Sequence, residues 1–306
     1  MSEPTAVLFD APGPRARRRA FIASVVAGLV IAGVVALIVL RLAERGQLDA
    51  ELWSPLVDPS DEQFDAVWQR IGEGLLVTLR AAFFAVVLSL VIGLALAAAR
   101  LSLGRVARIP LIGVIELLRG LPVIVSILYV DVLMRALDVY QGSVTTLVIA
   151  LTLYNSVIIS EITRAGILSL PKGQVEAGLA VGLTRGQVMR TIQLPQAVRV
   201  MLPAIISQLI VILKDTALAS IVLSQIEDLL KIADQLGGFL DNRLQSYFVI
   251  GLIYIAINLL LEQLAKLVQR RMSGQGRRRR TRASTAPDAE QQTDTDAADR
   301  TTGTRP

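Results

Sequence analysis

The sequence predicts an all-α, polytopic membrane protein with about six transmembrane helices, and three observations predict it. Hydrophobic residues make up 53% of the chain and charged residues only 19%, where a soluble domain carries nearer a quarter charged. The apolar residues gather into runs of about 20, the length of helix that crosses a hydrocarbon core about 30 Å thick. Arginines sit mainly at the ends of those runs, as the flanks of membrane spans do. Backbone groups in lipid have to be satisfied within their own segment, so the runs are expected as helices. The alternation of an outer-membrane barrel strand is missing.

The first span, residues 20–40, follows Arg15, Arg17, Arg18 and Arg19. Its apolar run exceeds a signal-peptide core of about 7–15 residues and no small-residue cleavage site closes it, so it reads as a retained helix. Residues 41–70 are rich in Asp and Glu, with Trp53 and Trp68 expected at a membrane surface. The second span, 74–99, ends at Arg100, Arg105 and Arg108, and the third covers 109–137. After a break at 138–143 comes the fourth, 144–160, followed by a mixed polar and apolar segment, 161–199. The fifth span is 200–223; the sixth, 247–268, is closed by Arg270, Arg271 and the Arg277–Arg280 block.

Basic flanks fall before span one, after span two, between spans four and five, and after span six. The positive-inside rule then puts these four places, and both termini, in the cytoplasm. The organisation expected is a basic N-terminus (1–19), an extra span with its acidic segment (20–70), a core (71–272) and a disordered tail (273–306). That tail is too polar to bury a core, and its arginines are suited to anionic headgroups of membrane lipid.

With no Cys and no His, disulfides, thiolate nucleophiles, His- or Cys-built zinc sites and imidazole acid–base chemistry are excluded. No catalytic residue and no metal ligand set is expected. The net charge of +5 and pI near 9.9 would suit nucleic acid, but the basic residues belong to span ends and tail, so no nucleic-acid partner is expected. A channel would need a pore-lining ring, and a secondary transporter inverted repeats or broken helices in corresponding halves; neither pattern is read in the sequence.

Residues 161–199 carry the densest local signals. Pro171-Lys172-Gly173 is a turn. Val175, Leu179 and Val181 follow at helical spacing, with the small residues Ala177, Gly178 and Gly182 between them. Gly182 fits either a close backbone approach or a turn needing positive φ. Leu183 places an apolar residue at that turn. Thr184 with Gln187 reads as a capping box opening a second short helix, expected to stop before Pro195 because the proline disfavours a helical Leu194. Two short helices with an apolar tip suit either docking into a partner's groove or an ordinary interfacial loop.

Glu176-Ala177-Gly178, three residues, Gly182, nine residues, Ile192, one residue, Leu194-Pro195 resembles the EAA loop of binding-protein-dependent ABC importer permeases, with Gly178 where Ala is usual. Glu161-Ile162-Thr163-Arg164-Ala165-Gly166-Ile167, Pro171-Lys172-Gly173-Gln174, Leu194-Pro195-Gln196-Ala197, Lys214-Asp215-Thr216 and Arg119-Gly120-Leu121-Pro122 are similar to the polar amino-acid subfamily. The N-terminal extra span and the segment Leu8–Pro14 look most like actinobacterial glutamate permease subunits. The resemblance implies a cytoplasmic coupling helix-turn-helix between spans four and five, in which Glu176, Ala177, Gly178, Gly182 and Leu183 dock on a cytosolic ABC ATPase dimer. It also implies a second permease subunit, a related chain or a copy of this one, and an extracytoplasmic substrate-binding protein. The chain has no G-x-x-x-x-G-K-[ST] loop, so ATP and Mg belong to the partner ATPase and this chain is expected to be no enzyme and to hold no cofactor.

Charged residues within spans are functional candidates by default. Arg119, beside Pro122, is placed either to meet a substrate carboxylate or to pair with Glu116 on the same helix face. Asp131 and Arg135 lie later in that span. Among Lys214, Asp215 and Thr216, adjacent residues on different faces, one is expected to line the pathway. The subfamily's usual Thr and Gln are replaced by Leu121 and Ser126, so the paired subunit is expected to hold part of the substrate site. Glutamate follows from the resemblance; glutamine, arginine or histidine are the alternatives, and a secondary amino-acid transporter is a more distant one.

Overall fold

The computed structural model describes residues 13–283; most of the Leu8–Pro14 segment, and the tail from residue 284, lie outside them. The helices are α1 (Pro14–Glu44), α2 (Ala50–Val57), α3 (Phe64–Ser102), α4 (Arg105–Gly120), α5 (Val123–Ala136), α6 (Ser143–Leu168), α7 (Lys172–Ala180), α8 (Arg185–Val188), α9 (Leu194–Thr216), α10 (Ala219–Val222), α11 (Leu229–Phe239) and α12 (Arg243–Ala283). A π-helical turn, Met189–Gln193, joins α8 to α9. There is no strand among the described residues. α12 runs past residue 272, where the folded core was expected to end.

Five stretches are long and apolar enough to cross a membrane: α1, α3, α6, Arg185–Val222 and Arg243–Leu267. α4 and α5 qualify only as a pair, bent by 111°; counted as one span, the pair brings the number to six. The third span, expected over 109–137 with Pro122 placed to bend it, is two helices that meet at that proline. Leu121 is extended (φ −85°, ψ 137°) because the ring of Pro122 clashes with a helical conformation in the residue before it. Pro122 then N-caps α5, where its missing N–H costs nothing.

The described residues fall into two compact units, one within Met1–Ile71 and Ala233–Val249, the other within Gly72–Ile232 and Ile250–Pro306. In the first, the acidic N-terminal segment is held by side-chain donors. Asn242 donates to the Leu52 carbonyl (2.9 Å), Gln245 and Trp53 donate to that of Gln47 (2.6 and 3.3 Å), and Trp68 donates to that of Leu56 (3.1 Å). These bonds tie α2 and the turn that follows α1 to the helices around them.

In the second unit the core forms around α6. Leu147, Ala150 and Leu151 of α6 pack with Ala81 and Ala85 of α3, Ile127, Val130 and Met134 of α5, and Ile212 of α9. α6 also buries a polar series: Thr146, Thr152, Asn155, Ser156, Ser160 and Thr163. Some of these are satisfied by their own helix, Thr146 on the Gly142 carbonyl and Ser156 on that of Leu153, the usual resort of short polar side chains inside a helix. Asn155 is bridged to α9: Gln208 donates to its Oδ1 at 2.8 Å, while its own Nδ2 donates to the Leu151 carbonyl at 2.9 Å.

Candidate functional site

The site builds from a turn. α7 ends in a Schellman motif: the N–H of Gly182 donates to the Leu179 carbonyl (3.0 Å) and that of Leu183 to the Gly178 carbonyl (3.2 Å). Such a motif needs a left-handed residue, and Gly182 has φ +85°, which glycine adopts without steric cost. An added Cβ there meets nothing within 4 Å, so within this chain the glycine serves the turn and not a close approach. α8 opens directly afterwards with the expected capping box: Gln187 N–H donates to Thr184 Oγ1 (3.3 Å), and Thr184 N–H donates to Gln187 Oε1 (2.8 Å). The two caps satisfy both helix ends locally and fix the angle between α7 and α8.

What that turn exposes differs from the sequence expectation. Leu183 is half-buried, because the Schellman geometry folds this position back toward its helix. Val181, 78% exposed, is the apolar residue at the tip, flanked by the exposed Glu176, Ala177 and Leu179. The signal that finds it is the motif itself: a glycine two places beyond the last helical residue, with the apolar residue after it turned inward. Glu176 lies in the second turn of α7, too deep to cap it.

The foot of the tip is packed. Gly178 is buried, and a Cβ there would lie 2.9 Å from both Ile192 Cδ1 and Val188 Cγ2. Met189 joins Ile167 and Ala197 in a small core that Ala98, Leu101, Leu170 and Leu194 complete. The expected stop before Pro195 does not occur. Leu194 is helical (φ −61°, ψ −46°) and its N–H donates five residues back to Met189. Widening to a π-turn takes up the misfit that a proline brings to an α-helix, so α8 runs into α9 without an end.

The candidate pathway residues are not brought together. Arg119 pairs with Glu116 (2.8 Å), the same-face pairing its spacing allowed. Pro122 makes the break. Lys214 is exposed, Asp215 half-buried and Thr216 buried, its hydroxyl donating to the Leu213 carbonyl (2.6 Å); the three face different surroundings, as adjacent helical residues do. Asp131 is held by Arg135 (3.0 Å), whose guanidinium also covers the Tyr140 ring at 3.9 Å. The polar pair inside the helix bundle is instead Asn155 with Gln208. Neither stood out from the sequence, since an isolated amide in an apolar run carries no spacing signal.

Residues 74–274 match the sequence profile of the family described as binding-protein-dependent transport system inner membrane component. The chain belongs to that family. The glutamate transport system permease protein GluD of Corynebacterium glutamicum is 37% identical over 251 residues, covering 81% of this chain and 89% of that protein. The arginine transport system permease protein ArtQ of Bacillus subtilis is 31% identical, covering 66% of this chain and 92% of that protein. Among solved structures, an amino acid ABC transporter crystallised with histidines aligns with a TM-score of 0.61 at 30% identity, covering 68% of this chain and 96% of that one.

Proposed function

We propose that this chain is the translocating permease subunit of an ATP-driven amino-acid importer, with glutamate as its substrate. The observation that carries the importer role is the α7–α8 tip: two caps back to back, a packed foot and an exposed Val181 beside Glu176. A rigid apolar tip of this kind suits insertion into a groove on another protein, where a preformed shape avoids the entropic cost of ordering on binding. In this reading the groove belongs to a cytosolic ATPase dimer that binds ATP and Mg. Glu176, Ala177, Gly178, Gly182 and Leu183 form or support the docking element. A second permease subunit and an extracytoplasmic binding protein complete the complex, in the cell membrane, with both termini of this chain in the cytoplasm. Closing and reopening of the ATPase pair would rock the helices between two rigid arrangements.

Glutamate is supported by the 37% identity to the Corynebacterium glutamicum permease over most of both chains. The test is reconstitution in proteoliposomes with the ATPase, second permease and binding protein, measuring amino-acid-stimulated ATP hydrolysis and uptake. Glutamate is expected to stimulate both. Stimulation by glutamine, arginine or histidine in its place would move the substrate, and stimulation by no amino acid would overturn the importer reading.

A further inference from the structure

Arg100, in the last turn of α3, is the most enclosed charge of a chain of five that links three helices. Its side chain is only 11% exposed. Nη1 donates to Glu161 of α6 at 2.6 Å, and Nη2 lies 3.9 Å from Glu116 of α4. Each carboxylate has a second cation on its own helix: Glu161 is held by Arg164, and Glu116 by Arg119 at 2.8 Å. A charge this enclosed in an apolar protein is costly unless paired. One guanidinium fork can face two carboxylates in fixed directions, which an ammonium cannot.

The two links are unequal. The Arg100–Glu161 contact is a short charge-assisted hydrogen bond; the Arg100–Glu116 contact is beyond hydrogen-bond reach and purely electrostatic. α3 is thus fixed to α6 and only loosely held to α4. The position matters because Ala98 and Leu101, on either side of Arg100, pack into the small core at the foot of the α7–α8 tip. α6 leads into α7, and α4 ends at the break beside Leu121 and Pro122.

We propose that Arg100 is a positioning residue that couples the tip to the broken span. It holds the foot of the tip through Glu161 and engages α4 through Glu116, a contact made firm in one transport state and released in the other. Displacement of the tip is then delivered to the break in the third span. The inference rests on the importer reading above and concerns how that importer couples ATP to transport.

The test uses the complete reconstituted transporter and reads amino acid imported per ATP hydrolysed. Glu116→Gln leaves the Arg100–Glu161 bond in place and removes the charge on α4 that both Arg100 and Arg119 face. It is expected to lower the ratio by about fivefold or more, within the usual range of coupling between sites. Arg100→Gln should lower it at least as far, and Arg100→Lys should restore it only in part. Glu116 is half-exposed, so its variant tests the idea even where Arg100→Gln fails to assemble. A merely structural role predicts lower folded yield for Arg100→Gln and an unchanged ratio for Glu116→Gln; that result overturns the inference. Absence of amino-acid-stimulated hydrolysis in the unsubstituted protein would instead sink the importer reading itself.

Discussion

At the scale of single residues, Gly182 and Gly178 do opposite jobs within one helix end. Gly182 needs its φ of +85°, which a residue bearing a Cβ adopts at a cost of about 1–2 kcal/mol. Gly182→Asp is expected to uncouple ATP hydrolysis from uptake while the protein still reaches the membrane, read by transport assay and membrane fractionation; unchanged uptake would count against a docking role for the turn. Gly178 needs space, with Ile192 Cδ1 and Val188 Cγ2 at 2.9 Å from an added Cβ. Gly178→Ala should cost about 1 kcal/mol, and adding Ile192→Val, which deletes one of the two crowding methyls, should recover part of it in thermal unfolding. Asp228 offers a pH signature. It N-caps α11, its Oδ1 accepting from Lys231 N–H at 2.9 Å, and burial pushes its carboxyl from 3.8 up to about 6 despite the Lys231 charge. A raised carboxyl destabilises the fold only when ionised, so stability is expected to fall as pH rises from about 4 to 6, by about 3 kcal/mol at most. Asp228→Asn keeps the capping acceptor and should show a flatter dependence and a higher Tm at neutral pH. Gly182 and the Thr184 cap were legible in the sequence because their chemistry is local. The crowding at Gly178 and the enclosure of Asp228 were not, since residues distant along the chain or on other helices create them.

At the scale of elements, proline has two outcomes here. Pro122 breaks a span, whereas Pro195 is absorbed by the π-turn before it and the helix continues. Composition does not separate the cases, because membrane helices tolerate proline wherever neighbours re-satisfy the backbone. Residues 109–137 read as one span with Pro122 placed to bend it, but the size of the bend, 111°, shows only in the backbone. α6 and α9 are joined by Asn155 and Gln208, and neither amide has a local partner pattern that would have revealed the other. Gln208→Leu leaves Asn155 Oδ1 without its donor at 2.8 Å. The expected loss is about 0.6–2 kcal/mol, the range for polar contacts between membrane helices. A double-mutant cycle with Asn155→Leu, followed by thermal unfolding, measures it; a coupling energy near zero would show that the bond contributes nothing.

At the scale of the whole molecule, the spans were legible because their signal is summed over about twenty residues and survives errors at any one of them. The family was legible because several motifs fall in order along one chain. Their geometry was not: the tip residue proved to be Val181 and not Leu183, a difference set by one helix-end motif. Orientation is testable directly, since the chain contains no cysteine. Single replacements Ser60→Cys, between α2 and α3, and Gly186→Cys, in α8, give two reporters without background. A membrane-impermeant maleimide is expected to label the first in intact cells and the second only after permeabilisation; the reverse pattern would invert the topology. One further feature bears on how such a chain changes over generations. No residue of α1 is buried, so replacing its apolar side chains by others empties no cavity within the chain. Substitutions along α1 are therefore expected to leave the packing of the rest of the chain unchanged.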